Sequence, residues 1–85
     1  AQATLGVEVR PLRGAGLEVI RVLPGSSAAR AGLLSGDIIT SIDGQVPQRA
    51  AALARAYQQA GDGRPLAIVV ARGGQHRVTV LEKSW

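Results

Sequence analysis

Short turn signals divide this sequence at close intervals and leave little room for a long helix or strand. The signals are Arg13-Gly14-Ala15-Gly16, Pro24-Gly25, Asp43-Gly44, Gly61-Asp62-Gly63 and Gly73-Gly74. Glycine, proline and aspartate favour the backbone conformations that tight turns need. Several of the segments between the signals alternate apolar and polar residues, which is the period of a half-buried strand. The pattern therefore predicts a small domain in which strands dominate.

Five segments have the pattern of strands and two have the pattern of helices. The predicted strands cover 5–10, 17–23, 38–42, 66–71 and 77–81, and a brief further pairing is expected at 45–46. Pro11 lacks an amide donor, so we expect the first strand to stop there. A short helix is predicted over 28–31, capped by Ser26 or Ser27, and a longer one within 48–60, with Pro47 in its first turn. The predicted fold is a small, partly open antiparallel β-barrel or sandwich of five to six strands, capped by one short and one longer α-helix.

Size and composition allow one domain of this kind. The chain has 85 residues, 46% of them hydrophobic, and no cysteine, so its core must be held by burial, with no disulfide and no thiolate metal site. No apolar stretch approaches the ~18 residues of a membrane span, and the first residues lack the layout of a signal peptide. We expect a single domain over 1–85, with a core of about 4–82, a tail at 83–85 and no membrane insertion.

The charge does not indicate a nucleic-acid partner. Ten Lys and Arg against six Asp and Glu give a net charge of +4, but the basic residues are scattered along the chain and form no block. Proteins that bind single-stranded nucleic acid also use aromatic side chains as stacking platforms. Tyr57 and Trp85 are the two aromatic residues of this sequence. We therefore expect no nucleic-acid binding.

The residues of catalytic and metal sites are sparse. His76 is the single histidine and lies beside a Gly-Gly turn, and no serine stands in a nucleophile-elbow pattern. Asp37, Asp43 and Asp62 each adjoin a glycine, which is ordinary turn chemistry. We expect no catalytic residue, no metal and no cofactor. A small stand-alone enzyme that uses His76 is kept as a rival hypothesis.

A binding site for a peptide end is the function that the residues favour. In Leu5-Gly6-Val7, a glycine between apolar residues lets consecutive amides point into one cavity, which suits an anion such as a peptide carboxylate. The strand that follows can pair with a guest strand if it lies at a sheet edge. Ala50 and Ala54 would leave room for that guest beside the longer helix. The alternatives are an ordinary strand start and simple helix propensity.

The segment from Gly16 to Gly44 resembles the centre of a bacterial-type PDZ domain. It has a strand, Pro-Gly-Ser, a small helix, Ala-Gly-Leu, Gly-Asp-Ile-Ile and then Asp-Gly. The binding-loop strand comes first and the closing strand last, which is similar to the permuted bacterial arrangement. The opening Leu-Gly-Val is most similar to the PDZ domains of the HtrA/Deg serine proteases of the bacterial envelope. Tail-specific proteases, site-two intramembrane proteases and type II secretion components carry related domains.

The resemblance implies roles for particular residues. The amides of Leu5, Gly6 and Val7 are expected to hold a ligand carboxylate, although Thr4 departs from the glycine or aromatic residue that commonly starts this loop. Ala50 takes the position of a histidine that reads a ligand hydroxyl in many animal PDZ domains, so no Ser or Thr requirement is expected. The implied peptide-binding residues are Thr4, Leu5, Gly6, Val7, Glu8, Val9, Arg10, Ala50, Leu53, Ala54 and Tyr57.

The implied function is capture of protein C-termini that end in a hydrophobic residue, by the substrate-recruiting or regulatory domain of an HtrA-like serine protease in the periplasm or cell envelope. The domain itself would be non-catalytic. The alternative is a PDZ fold used for protein–protein contact in a secretion or other envelope protease system, without C-terminal capture. The isolated domain is expected to be monomeric. Trp85 is expected to be a cloning or domain-boundary remnant, to lie on its own domain, or to be an apolar end that enters a neighbour's groove.

Overall fold

The computed structural model describes residues 5–61 and 64–82, which form five strands and two helices. The strands are β1 Val7–Leu12, β2 Gly16–Val22, β3 Ile38–Ile42, β4 Leu66–Arg72 and β5 Gln75–Leu81, and the helices are α1 Ser27–Arg30 and α2 Ala50–Gln59. The predicted class, mainly β with one short and one longer helix, is confirmed. Neither helix in these two ranges has the length and apolar character to cross a bilayer.

The five strands form one antiparallel sheet in the order β1-β2-β3-β4-β5. This order makes β1 and β5 the two edge strands. α1 lies between β2 and β3 in the chain and α2 between β3 and β4. An edge strand keeps one row of backbone N–H and C=O groups unpaired, so the order leaves such a row on β1, the strand for which a guest was predicted.

One apolar core joins the sheet to both helices. Its members are almost fully buried and come from β2 to β5, from both helices and from the α1–β3 loop: Leu17, Val19, Ala28, Leu33, Ile39, Ile42, Leu53, Tyr57, Leu66, Ile68, Val70 and Leu81. At about 25 cal/mol for each Å² of buried apolar surface, a cluster of this size supplies the main stabilisation of the fold. The half-buried Leu5, Val7 and Val9 pack against its margin.

The boundaries of β1 and the starts of α2 and β5 differ from the prediction. β1 continues through Pro11 to Leu12, which an edge strand permits when the nitrogen of the proline faces away from its neighbour. α2 begins at Ala50 after the extended residue Arg49, so Pro47 precedes the helix and does not lie in its first turn. β5 begins at Gln75 because its hairpin with β4 pairs Arg72 with Gln75 around the Gly-Gly turn.

Asp37 is a structural ion-pair residue, and its interpretation as a simple turn residue was incomplete. Its side chain is 2% exposed and accepts two hydrogen bonds from Arg72, Nε to Oδ1 at 2.8 Å and Nη2 to Oδ2 at 2.6 Å. The Leu34 amide adds a third, at 2.9 Å to Oδ2. Arg72 Nη2 also donates to the Gly32 carbonyl at 2.8 Å. The pair therefore ties the loop after α1 to the end of β4.

This pair predicts a loss of stability in acid. The hydrogen bonds from Arg72 hold the pKa of Asp37 below its ordinary value of 3.8. A carboxyl with a lowered pKa in the folded state stabilises the fold above the unfolded pKa, and this contribution is lost as the pH falls through the folded pKa. At pH 7 we expect the unfolding free energy of the native chain to be about 1–3 kcal/mol higher than that of Asp37→Asn. We expect this difference in unfolding free energy to narrow as the pH falls below about 4. Urea unfolding at a series of pH values measures it. A gap that stays constant down to pH 2 would contradict the assignment.

Candidate functional site

The loop before β1 is held by its carbonyl groups. The Leu5 carbonyl accepts from the Ala28 amide of α1 at 3.1 Å, and the Gly6 carbonyl accepts from the Leu23 amide at 2.8 Å. Both carbonyls are therefore directed into the domain. The described residues accept no hydrogen bond from the amide of Leu5 or of Gly6. Two consecutive amides are thus left for a ligand, as an anion-binding loop requires.

Gly6 is required at its position for two independent reasons. Its φ of +69° lies in the left-handed region, which L-residues adopt at a cost. A Cβ atom at this position would also lie 2.1 Å from Cβ of Ser26. Ser26 is itself fixed, because its Oγ donates to the Leu23 carbonyl at 2.7 Å and accepts from the Ala29 amide at 3.1 Å as the N-cap of α1. Close packing of the loop on α1 therefore sets the loop's conformation.

The backbone of β1 offers a regular set of outward groups. Because the Gly6 carbonyl bonds towards β2, antiparallel alternation turns the N–H and C=O of Val7 away from β2. The bulge in this pair lies on β2, where Ile20 is skipped in the register, so the alternation continues along β1 to Val9. Pro11 is the next outward residue, and it has no N–H to donate. A guest strand can therefore pair fully at Val7 and Val9 and only in part at Pro11.

The side chains of β1 separate into two faces. Val7 and Val9 are half-buried on the core side, whereas Glu8 and Arg10 are exposed on the other face. Arg10 Nε lies 2.7 Å from Oε1 of Glu18, and Arg21 Nε lies 3.6 Å from Oε1 of Glu8. Such exposed pairs contribute at most about 1 kcal/mol each. Both ion pairs lie on the exposed face of β1, so the face with Val7 and Val9 carries no charged side chain.

One flank of α2 faces β1, and the space between the two elements is the candidate groove for a guest strand. Leu53 and Tyr57 are 1% and 5% exposed and belong to the core, while Ala50 and Ala54 are exposed beside them. At 3.6 residues per turn these four residues share one side of the helix. The small side chains of Ala50 and Ala54 leave the space beside β1 open.

Tyr57 is tied to the same helix that holds the loop. Its hydroxyl lies 2.5 Å from Oγ of Ser27, and Ser27 is 1% exposed and donates to the Glu82 carbonyl at 2.8 Å. This contact places the C-terminal half of α2 near the loop of Leu5 and Gly6. Pattern reasoning treated Ser26 and Ser27 as alternative caps. The structure gives them separate roles, with Ser26 as the cap and Ser27 as the link to α2.

The structure brings the described members of the predicted set to one groove, although their part in binding stays a prediction. Leu5 to Arg10 form the loop and edge strand, and Ala50, Leu53, Ala54 and Tyr57 form the helix flank. Thr4 and Trp85 lie outside the described residues. His76 lies exposed on β5, the opposite edge strand. The sequence reasoning missed a concavity on the other flank of α2.

The profile of a family described as PDZ domain matches residues 18–72. The chain belongs to the PDZ family. Its curated relatives are HtrA- and DegP-like serine proteases, as the resemblance implied. The putative serine protease HhoA of Synechocystis is 43% identical over 58 residues, which is 68% of this chain and 15% of the relative. The probable periplasmic serine endoprotease DegP-like of Halomonas elongata is 38% identical over 63 residues, which is 73% of this chain and 13% of the relative.

Solved structures agree with the fold. The HtrA-type protease AlgW with a decapeptide superposes with a TM-score of 0.79 at 33% identity, over 98% of this chain and 29% of that one. The PDZ chain therefore spans under a third of this solved structure's chain, and a smaller part of the two curated relatives. The substrates and assembly partners of these longer proteins are properties of those proteins.

The packing of Gly6 on Ser26 predicts the effect of adding a methyl group. Gly6→Ala should lower the unfolding free energy by more than about 2 kcal/mol, because it adds a steric overlap to the left-handed penalty of about 1–2 kcal/mol. Gly14→Ala is the matched control, since Gly14 has a φ of +75° and open space around its Cβ position. It should show the left-handed penalty alone. Chemical denaturation measures both variants, and an equal loss in the two would refute the role of the contact.

Proposed function

We propose that this domain captures the C-terminus of a protein by β-strand addition. The ligand strand lies between β1 and α2, and its terminal carboxylate accepts hydrogen bonds from the amides of Leu5, Gly6 and Val7. The observation that carries the proposal is the inward direction of the Leu5 and Gly6 carbonyls, which leaves their amides to a ligand. The decapeptide in the AlgW structure supports a peptide as the ligand.

The last ligand side chain is proposed to be hydrophobic. Leu5, Val7 and Val9 pack against the core, and with Tyr57 and the methyl group of Ala54 they form an apolar lining. A charged last residue would be desolvated there without a partner. Ala50 has no hydrogen-bond donor on its side chain, so a ligand hydroxyl gains nothing beside it and a second apolar residue is tolerated.

The parent protein is proposed to be an HtrA-like serine protease of the periplasm or cell envelope. The curated relatives and the AlgW structure support this, because each carries the matched segment within a longer chain named as a protease. In this proposal the domain recruits substrate or senses a regulator, and catalysis belongs to another part of the parent protein. The single-domain extent of about 4–82 and a monomeric state of the isolated domain are part of the same proposal.

The carboxylate loop predicts that amidation of a ligand weakens its binding. Hydrogen bonds to a charged acceptor contribute about 1.5–3 kcal/mol each, so we expect a peptide with an apolar last residue to bind at least about tenfold more tightly as the free acid than as the amide. Fluorescence anisotropy with an N-terminally labelled peptide measures both forms.

Ala54→Leu gives the matched steric control, because it fills the proposed groove without touching the loop. It should weaken binding of the free-acid peptide. Ala52→Leu, on the other flank of the helix, should not weaken binding of a short peptide that contacts only the groove beside β1. Equal affinity for acid and amide would exclude the carboxylate loop. Binding that survives Ala54→Leu unchanged would favour a protein–protein surface elsewhere on the domain.

A further inference from the structure

A second groove lies on the opposite flank of α2. It has a volume of 540 Å³, and we call it the rear groove. The end of β3, the segment that leads to α2 and the far flank of α2 line it. The apolar residues of its lining are Ile42, Val46, Pro47, Ala51, Ala52 and Ala56. Val46 is 46% exposed, whereas Ile42 and Pro47 beside it are buried.

The two flanks of α2 have similar small side chains. Ala50 and Ala54 stand one turn apart on the flank that faces β1, and Ala52 and Ala56 stand one turn apart on the flank that faces the rear groove. Leu53 and Tyr57, between the flanks, anchor the helix to the core. α2 therefore separates the rear groove from the space beside β1, and Arg49 lies at the N-terminal end of the helix and lines the rear groove.

The rear groove is basic at its margin. Arg49 and Arg55 line it, and Asp43 is the acidic residue among its lining residues. The described residues form no ion pair with either arginine. The backbone N–H groups of Val46 and Gln48 also have no described partner. Among the described residues, the groove thus combines an apolar floor, two arginines without an ion-pair partner and two backbone amides without an acceptor, which fits an extended acidic peptide.

The direction of a captured ligand leads to this groove. The argument rests on the proposed function, in which the ligand carboxylate lies at Leu5–Val7 and the strand runs antiparallel to β1. Tyr57 holds the C-terminal half of α2 near that loop, and Ala50 lies about 10 Å further along the helix axis. Pairing weakens at Pro11, because its nitrogen cannot donate. The upstream part of the ligand therefore leaves the edge strand near the N-terminal end of α2.

We propose that the upstream part of the same ligand turns around the N-terminal end of α2 and binds in the rear groove, and that acidic residues are favoured there. A helix is about 10 Å across and an extended chain covers about 3.3 Å per residue. About three to four residues therefore cross from one groove to the other. The anchor takes about four residues along β1, so the acidic positions begin about eight residues before the ligand carboxylate.

Continuity favours the same ligand over a separate protein. Arg49 precedes α2 and lines the rear groove, and a chain already held by its C-terminus beside β1 reaches that groove at a high effective concentration. A free acidic segment would have to bind there without that advantage. Rim charges add little individually, so the gain depends on tethering to the anchor.

The experiment compares three synthetic peptides that share one apolar C-terminal anchor. The first peptide has five residues. The second and third extend upstream to twelve residues, and their four N-terminal positions contain three Glu in the second peptide and three Gln in the third. All three are titrated into the whole 85-residue chain by fluorescence anisotropy at low and high salt. We expect the Glu peptide to bind about fivefold more tightly than the short peptide, and the gain to shrink with salt.

Variants separate the rear groove from the anchor. Ala52→Leu and Arg55→Gln should remove the gain of the Glu peptide and leave the short peptide unchanged. Arg77→Gln, on the exposed edge strand β5, removes the same charge far from either groove and should retain the gain. Thermal unfolding checks that each variant remains folded.

The outcomes distinguish this inference from the proposed function. Failure of every peptide, including the short one, would overturn C-terminal capture itself. Tight binding of the short peptide with no gain from the Glu extension would overturn only the rear groove. An equal gain from Gln would refute the preference for acidic residues. Equal loss of the gain in Arg77→Gln would show a general charge effect. Binding of the Glu extension alone, as tightly as when linked to the anchor, would identify a separate partner and overturn the shared-ligand assignment.

Discussion

The contact between Gly6 and Ser26 is the constraint on which the candidate site depends. A Cβ atom at the position of Gly6 would overlap Ser26, so any other residue there forces the loop or α1 to shift. The contact directs the carbonyls of Leu5 and Gly6 to amide donors inside the domain and leaves their own amides outside. The site therefore consists of backbone groups set by packing. It does not need a side chain that could lose its charge or change its rotamer.

The helix that anchors this loop also anchors the groove wall. α1 is four residues long and could not be stable alone, yet it carries Ser26 against the loop, Ala28 against the Leu5 carbonyl and Ser27 against Tyr57. The Asp37–Arg72 pair holds the loop that follows α1, through Leu34 and Gly32. Compared with packed apolar residues of the same volume, a buried ion pair gains little net free energy, although removal of one partner is costly. Its contribution here is to fix the position of α1 relative to the sheet.

Local pattern was sufficient for most of the fold and for the loop, because turns, alternation and a glycine between apolar residues are local properties. It was insufficient where a distant neighbour decides. Pro11 stays in β1 because β1 has no partner on its outer side, which only the strand order reveals. Asp37 is buried because Arg72, thirty-five residues away, meets it in space. The rear groove is formed by the distance between α2 and the segment that leads to it from β3, which is a property of the tertiary structure. In the sequence, Ala52 and Ala56 are indistinguishable from ordinary helix-forming residues.

The alanines of α2 leave space on both flanks of the helix. A large side chain on either flank would add contact area but close one of the two grooves, whereas alanine keeps the helix stable and both flanks open. Leu53 and Tyr57 supply the burial that the alanines do not. With two large buried residues and small residues on both flanks, α2 therefore borders the groove beside β1 and also separates it from the rear groove. In the proposed binding mode, these same alanines leave the ligand room to continue past the end of β1.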